Sequence, residues 1–105
     1  MTDCIFCKIA NKEIPSTIEY EDDLCMIFHD INPAAKIHLL VIPKKHIPTI
    51  ADLEPEDEKL VGHMIGKARD IAKKLKINGY RLLYRVGKEG GQEVFHIHMH
   101  LMSDR

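Results

Sequence analysis

Phe95-His96-Ile97-His98-Met99-His100-Leu101-Met102 alternates histidine with an apolar residue at a period of two. That period marks a β-strand with one face in a core. It predicts Phe95, Ile97, Met99 and Leu101 facing inward, and His96, His98 and His100 in a row on the other face. At a rise of about 3.3 Å per residue, neighbouring histidines stand about 7 Å apart and the outer two about 13 Å. Two neighbours can share a metal ion; three on a straight strand cannot. The row therefore predicts divided roles, since imidazole can be donor, acceptor, base, nucleophile or ligand near neutral pH. A solvated polar face is the competing reading.

Working outward, Gly87 to Gln92 reads as a glycine-rich turn and Tyr80 to Val86 as a strand before it, with the histidine strand over 94–102. Further upstream, Leu60, Val61, Met64, Ile65, Ala68, Ile71, Ala72 and Leu75 recur at helical period. They predict a helix from Pro55 to Lys76, with Pro55 in its first turn and Asn78-Gly79 as its stop. Ile37 to Ile42 is an apolar run of strand length closed by Pro43. Ile18 to Glu21 and Leu24 to Phe28 form a hairpin around Asp22-Asp23, and Cys4 to Ala10 a short helical turn. Connections this short suit antiparallel pairing. The expected class is α+β: an antiparallel five-stranded sheet with one long helix and a short N-terminal helix, as a single domain over 1–105.

Composition narrows the function classes. A net charge of −1 provides no basic field for nucleic acid. No apolar run approaches the length of a bilayer span, and Met1-Thr2-Asp3-Cys4 does not read as a signal peptide. An odd cysteine count of 3 argues against a disulfide scaffold. The expectation is a cytoplasmic protein without a membrane or nucleic-acid partner.

Cys4-x-x-Cys7 is spaced to bind one zinc from a tight knuckle, with two further ligands from His46 and the histidine strand. Two buried free thiols remain the alternative; a redox pair is less well placed, lacking a βαβ context. Gly90-Gly91-Gln92-Glu93-Val94 could bring backbone N–H groups to an anion beside an imidazole, or be a plain hairpin turn. His38 interrupts an apolar strand and is either a satisfied core histidine or a fourth imidazole on the same face. Lys44, Lys45 and His63 read as surface, Cys25 as packing.

These segments, taken in order, resemble the histidine triad family, in its Hint-like branch of small homodimeric nucleotide hydrolases and transferases. The resemblance rests on Cys4-Ile5-Phe6-Cys7-Lys8-Ile9, Glu13-Ile14-Pro15-Ser16, Phe28-His29-Asp30-Ile31-Asn32-Pro33, His38 to Ile47, Gly90-Gly91-Gln92 and His96-x-His98-x-His100. It implies hydrolysis of purine nucleoside phosphoramidates or related nucleotides, with His98 as the nucleophile and a nucleotidyl-histidine intermediate. His100 and His38 would contact the phosphate and leaving group and help move protons. Asp30 would hold the ribose. Ile5, Phe6, Ile9, Phe28 and Ile31 would wall the purine, while Gln92 and the Val94 backbone line the phosphate site. The resemblance would also bring His29 and Gly91 to the nucleotide, and with them Arg85 and Glu93, which stand at two family site positions. A structural zinc on Cys4, Cys7, His46 and His96 is implied in the zinc-containing relatives, with no catalytic metal. So is a homodimer, formed through the long helix and the Tyr80 to Val86 strand.

Three departures stand out. Arg85 occupies a family asparagine position, and Glu93 a serine or threonine position. Their opposite charges on adjacent strands predict a compensating ion pair. The sequence ends at Arg105, short of the tail that the resemblance places near the partner's active site. A nucleotide-binding regulatory or scaffold protein with little turnover, and a metalloenzyme with an open site on two strand histidines, are the alternatives.

Overall fold

A computed structural model describes residues 4–104; Met1 to Asp3, on which the leader reading partly rests, and Arg105 at the chain end lie outside it. Five strands, β1 (Ile18–Glu21), β2 (Cys25–His29), β3 (Ile37–Pro43), β4 (Arg81–Leu83) and β5 (Met99–Ser103), form one sheet in the order β1-β2-β3-β5-β4. Every neighbouring pair is antiparallel. Two α-helices, α1 (Ile5–Ala10) and α2 (Glu58–Lys74), complete the expected α+β architecture.

The alternation of side chains along β3 explains why both faces of the sheet are covered. Leu39 and Val41 pack with Met64, Ala68, Ile71 and Ala72 of α2, together with Met99 and Leu101 of β5. Leu40 and Ile42 point the other way, into a smaller core with Met26, Phe28 and the α1 residues Phe6 and Ile9. A strand buried on both faces reads as a near-continuous apolar run, as Ile37 to Ile42 does.

The hairpin turn is held by Asp22. Its Oδ1 accepts from the Leu24 and Cys25 amides at 2.8 Å, and its Oδ2 from the Tyr20 hydroxyl at 2.8 Å. The Asp22 Oδ2 also lies 2.6 Å from His63 Nε2, so His63 is a partner of the turn rather than a free surface residue. Asp22, Cys25 and His63 offer metal-type ligand atoms near one another, but these bonds already occupy the carboxylate.

The long helix is shorter than the apolar period predicts. Pro55–Asp57 is a single 3-10 turn, and α2 proper begins at Glu58. The buried Asp57 fastens that turn by accepting from the Glu54 amide at 3.0 Å and from Lys45 Nζ at 2.6 Å. Lys45 is therefore ion-paired, as is Lys44 with Glu21 at 2.6 Å; neither is merely solvated. At the other end, Lys76 is left-handed (φ 59°), and its amide donates to Lys73 O while Ile77 N donates to Ala72 O. This paired closure stops the helix before Asn78-Gly79. The buried Ile77 fastens it to the core.

The histidine strand is the main departure. Regular pairing begins only at Met99, and residues 94–98 leave the sheet, where the Ile97 amide donates to Ile47 O at 2.8 Å. Ile97, Met99 and Leu101 are buried as expected, but Phe95 is 44% exposed. On the facing strand, regular pairing ends at Leu83 rather than Val86, which releases Arg85 from the sheet.

Candidate active site

β3 and β5 run in register with Leu40 opposite His100 and His38 opposite Met102. His38 and His100 therefore lie diagonally on the face opposite α2, with ring centres 5.1 Å apart. The α1 helix lies over the same face and leaves a cleft of about 420 Å³. One end of the cleft is apolar, walled by Ile5, Phe6, Ile9, Phe28 and Ile31. Phe6 and Phe28 meet edge to face at 5.9 Å, and Ile31 is 84% exposed, an apolar side chain without cover. The other end carries His38, His98, His100 and Arg85, with Asp30 and His29 along one wall and Glu93 and Val94 also lining the cleft. Ile14, Pro15, Ser16, Asn32 and Leu40 line it as well. Sequence reasoning did not assign these five to the site, although all of them lie in segments that carried the resemblance.

Backbone groups fix where the imidazole protons sit. His98 Nδ1 lies 2.8 Å from His96 O. A carbonyl only accepts, so Nδ1 carries the proton and Nε2 keeps a free lone pair. The Ala34 amide donates to His38 Nδ1 at 3.0 Å, so the His38 proton is on Nε2. That Nε2–H donates to His100 Nδ1 at 2.8 Å, which leaves the His100 proton on its own Nε2. Burial holds His38 and His98 below the usual imidazole range. It pushes His100 down to about 4, with nearby His98, His38 and Arg85 adding to the effect. His98 and His100 have ring centres 5.0 Å apart, closer than a straight strand allows.

His96 belongs to a different cluster. It is fully buried, with Nδ1 3.3 Å from Cys4 Sγ, 3.5 Å from Cys7 Sγ and 3.1 Å from His46 Nδ1. Cys7 Sγ lies 3.2 Å from His46 Nδ1. Zn–S bonds of about 2.3 Å and Zn–N bonds of about 2.0 Å at tetrahedral angles place such ligand atoms roughly 3.3–3.8 Å apart. The four side chains thus fit one tetrahedral metal ion, and they are the ligand set that the resemblance implied. His96 Nε2 donates to Pro43 O at 2.8 Å, which aims Nδ1 at the other three ligands. The Phe6 ring stands edge-on to both His96 (6.0 Å) and His98 (4.9 Å), on the boundary between cluster and cleft.

Two expected residues are not in the cleft wall. Gln92 is buried and braces the turn: its Oε1 accepts from Gly87 N at 2.8 Å, and its Nε2 donates to Pro48 O and Val94 O. Gly91 sits behind Arg85, where a Cβ would come within 3.2 Å of Arg85 Cδ. The expected Arg85–Glu93 ion pair does not form among the described residues. Arg85 has left the sheet, and its Nη1 lies instead 3.3 Å from His100 Nε2.

Comparison with known proteins agrees with this geometry. Residues 3–105 match the family model described as scavenger mRNA decapping enzyme C-term binding. Protein HitA of Neisseria gonorrhoeae is 52% identical over 104 residues, covering 98% of this chain and 97% of that protein. The chain belongs to the histidine triad (HIT) family. The purine nucleoside phosphoramidase of Escherichia coli K12 is 50% identical to this HIT protein over 103 residues, covering 96% of it and 87% of the relative. Among solved structures, a histidine triad protein from Clostridium difficile superposes with a TM-score of 0.96 at 44% identity, covering 100% of this chain and 93% of the other. A HIT family hydrolase from Legionella pneumophila gives 0.93 at 48% identity, covering 98% and 94%. Among the described residues of this HIT protein, no helix is long and apolar enough to cross a membrane.

Proposed function

We propose that this HIT protein is a nucleotide hydrolase that cleaves purine nucleoside phosphoramidates or related nucleotides through a nucleotidyl-histidine intermediate on His98. The observation that carries this reading is the hydrogen bond from His98 Nδ1–H to His96 O, which leaves Nε2 a free nucleophile in the cleft. The apolar end suits a purine, and the carboxylate of Asp30, whose Oδ1 accepts from the Asn32 amide at 2.8 Å and whose Oδ2 stands 3.5 Å from His38 Nε2, suits a ribose hydroxyl. His98 Nε2 bonds to the α-phosphorus as the bond to the leaving group breaks, a departing amine taking up a solvent proton as it leaves. Water then attacks the same phosphorus, the P–N bond breaks with its electron pair returning to Nε2, and the water's proton returns to solvent. His100 Nε2–H and Arg85 stabilise charge on the oxygens at phosphorus, that of an oxygen-linked leaving group included. The activity named for the E. coli relative supports the reading.

Cys4, Cys7, His46 and His96 are read as a structural zinc site. Four protein ligands leave no position for substrate, so the catalytic steps run on imidazoles and Arg85 alone. The protein is further read as a cytoplasmic homodimer paired through α2 and the edge strand β4, beside which Leu82 and Val86 are exposed. A monomer mass in light scattering at micromolar concentration contradicts that pairing. The enzymatic reading is tested by rapid quench with adenosine 5′-phosphoramidate followed by peptide mass spectrometry. A nucleotidyl group on His98 is expected. Nucleotide retained without adduct or turnover favours a binding protein instead.

A further inference from the structure

Arg85 is exposed, yet its stem is seated rather than loose. Gly91, at φ +88°, lies against it, and a Cβ there would crowd the stem, approaching Arg85 Cδ at 3.2 Å and Nε at 3.6 Å. The guanidinium reaches the polar end of the cleft, where Nη1 is 3.3 Å from His100 Nε2. Among the described residues lining the cleft, Arg85 is the one lysine or arginine.

The contact between Arg85 and His100 joins two donors. The Ala34 amide fixes the His38 proton on Nε2, and His38 in turn fixes the His100 proton on Nε2. His100 Nε2–H therefore faces an Arg85 N–H, and the two converge on a place for an acceptor oxygen. Neither ring of the pair gains a second proton without losing a hydrogen bond, because both Nδ1 atoms are already acceptors. The relay behind His100 ends at the Ala34 amide, with Asp30 Oδ2 3.5 Å from His38 Nε2. The polar end thus combines neutral imidazoles with one permanent positive charge.

We propose that Arg85 makes the cleft select nucleotides whose α-phosphorus carries an anionic, oxygen-linked leaving group, a phosphate or sulfate in anhydride linkage, over those that lose a neutral amine. This rests on the hydrolase reading above and specifies its substrate class. When His98 Nε2 forms the N–P bond, the P–O bond of the anhydride breaks and its electron pair stays on the departing oxyanion, with no proton required. Arg85 and His100 Nε2–H hold the charge that develops there. An amine, by contrast, must take up a proton as the bond to phosphorus breaks.

The test compares wild type, Arg85→Gln and Arg85→Lys on ADP, adenosine 5′-phosphosulfate and adenosine 5′-phosphoramidate. In Arg85→Gln the ratio of kcat/KM for an anhydride to that for the phosphoramidate is expected to fall about 10- to 100-fold, as the loss of one charged hydrogen bond implies. Arg85→Lys should recover part of the ratio, with melting temperatures unchanged. A larger fall with ADP assigns the subsite to phosphate, and a larger fall with the phosphosulfate to sulfate. A ratio that stays within about threefold in Arg85→Gln overturns the proposal and leaves the hydrolase reading standing. Failure of the wild type to turn over any of the three overturns both.

Discussion

Replacing His98 by alanine is expected to lower kcat for adenosine 5′-phosphoramidate by about 10⁴-fold or more, the usual scale for loss of a covalent nucleophile. Binding of AMP should survive. The apolar walls Ile5, Phe6, Ile9, Phe28 and Ile31 and the carboxylate of Asp30 do not depend on the missing ring. The Kd, measured by calorimetry, should stay within about tenfold, since one lost hydrogen bond accounts for no more than about 1–1.5 kcal/mol. The neighbouring His100 cannot substitute, because its Nδ1 lone pair is committed to His38 and its Nε2 holds a proton. A His98→Gly variant opens space beside Phe6, which stands 4.9 Å from the imidazole centre. Added imidazole should restore part of its turnover. Full activity in His98→Ala sinks the nucleophile assignment.

The second large effect concerns the Cys4–Cys7–His46–His96 cluster. Metal removal with a strong chelator, or the double variant Cys4→Ser/Cys7→Ser, is expected to lower Tm by about 15–30 °C. Binding at a thousandfold excess over Kd contributes about 4 kcal/mol, and each kcal/mol shifts Tm by about 4–8 °C in a domain of this size. The loss should be large because the ligands come from three separated segments: α1 and its cap, the loop after β3, and the irregular stretch before β5. Without a metal, two thiols and two imidazoles remain crowded together, with Cys7 and His96 buried. Scanning calorimetry with metal content measured alongside decides the matter. Purified protein that holds no metal, and whose melting responds neither to chelator nor to added zinc, returns the cluster to buried free thiols. Prompt loss of activity with no loss of stability instead points to a catalytic ion.

Much of this was legible along the chain because local patterns carry it. The apolar run of β3 and the helical stripe from Leu60 to Leu75 follow from burial on two faces and on one. Cys4-x-x-Cys7 is spaced for one metal ion, with His46 a candidate further ligand and two buried free thiols the alternative. Other features were hidden because they depend on partners distant in sequence. The left-handed Lys76 ends α2 earlier than Asn78-Gly79 suggests, fastened by the buried side chain of Ile77. Lys44, Lys45 and His63 looked solvated until Glu21, Asp57 and Asp22 were brought to them. Arg85 and Glu93 looked like a pair because opposite charges on neighbouring strands attract. That reasoning needs the strands to continue, and β4 stops at Leu83.

By itself, the sequence determined that a histidine-bearing strand packs in an antiparallel sheet against one long helix, since periods of two and of 3.6 require nothing beyond the chain's own geometry. Only the tertiary structure decided where each histidine sits. Residues 94–98 leave the sheet to pair with Ile47, so His96 turns to a cysteine 92 residues away while His98 stays in the cleft. The proton positions on His38, His98 and His100 are set by the Ala34 amide and the His96 carbonyl. Backbone groups of this kind leave no trace in a pattern of side chains, and their effect exists only once the chain has folded back on itself.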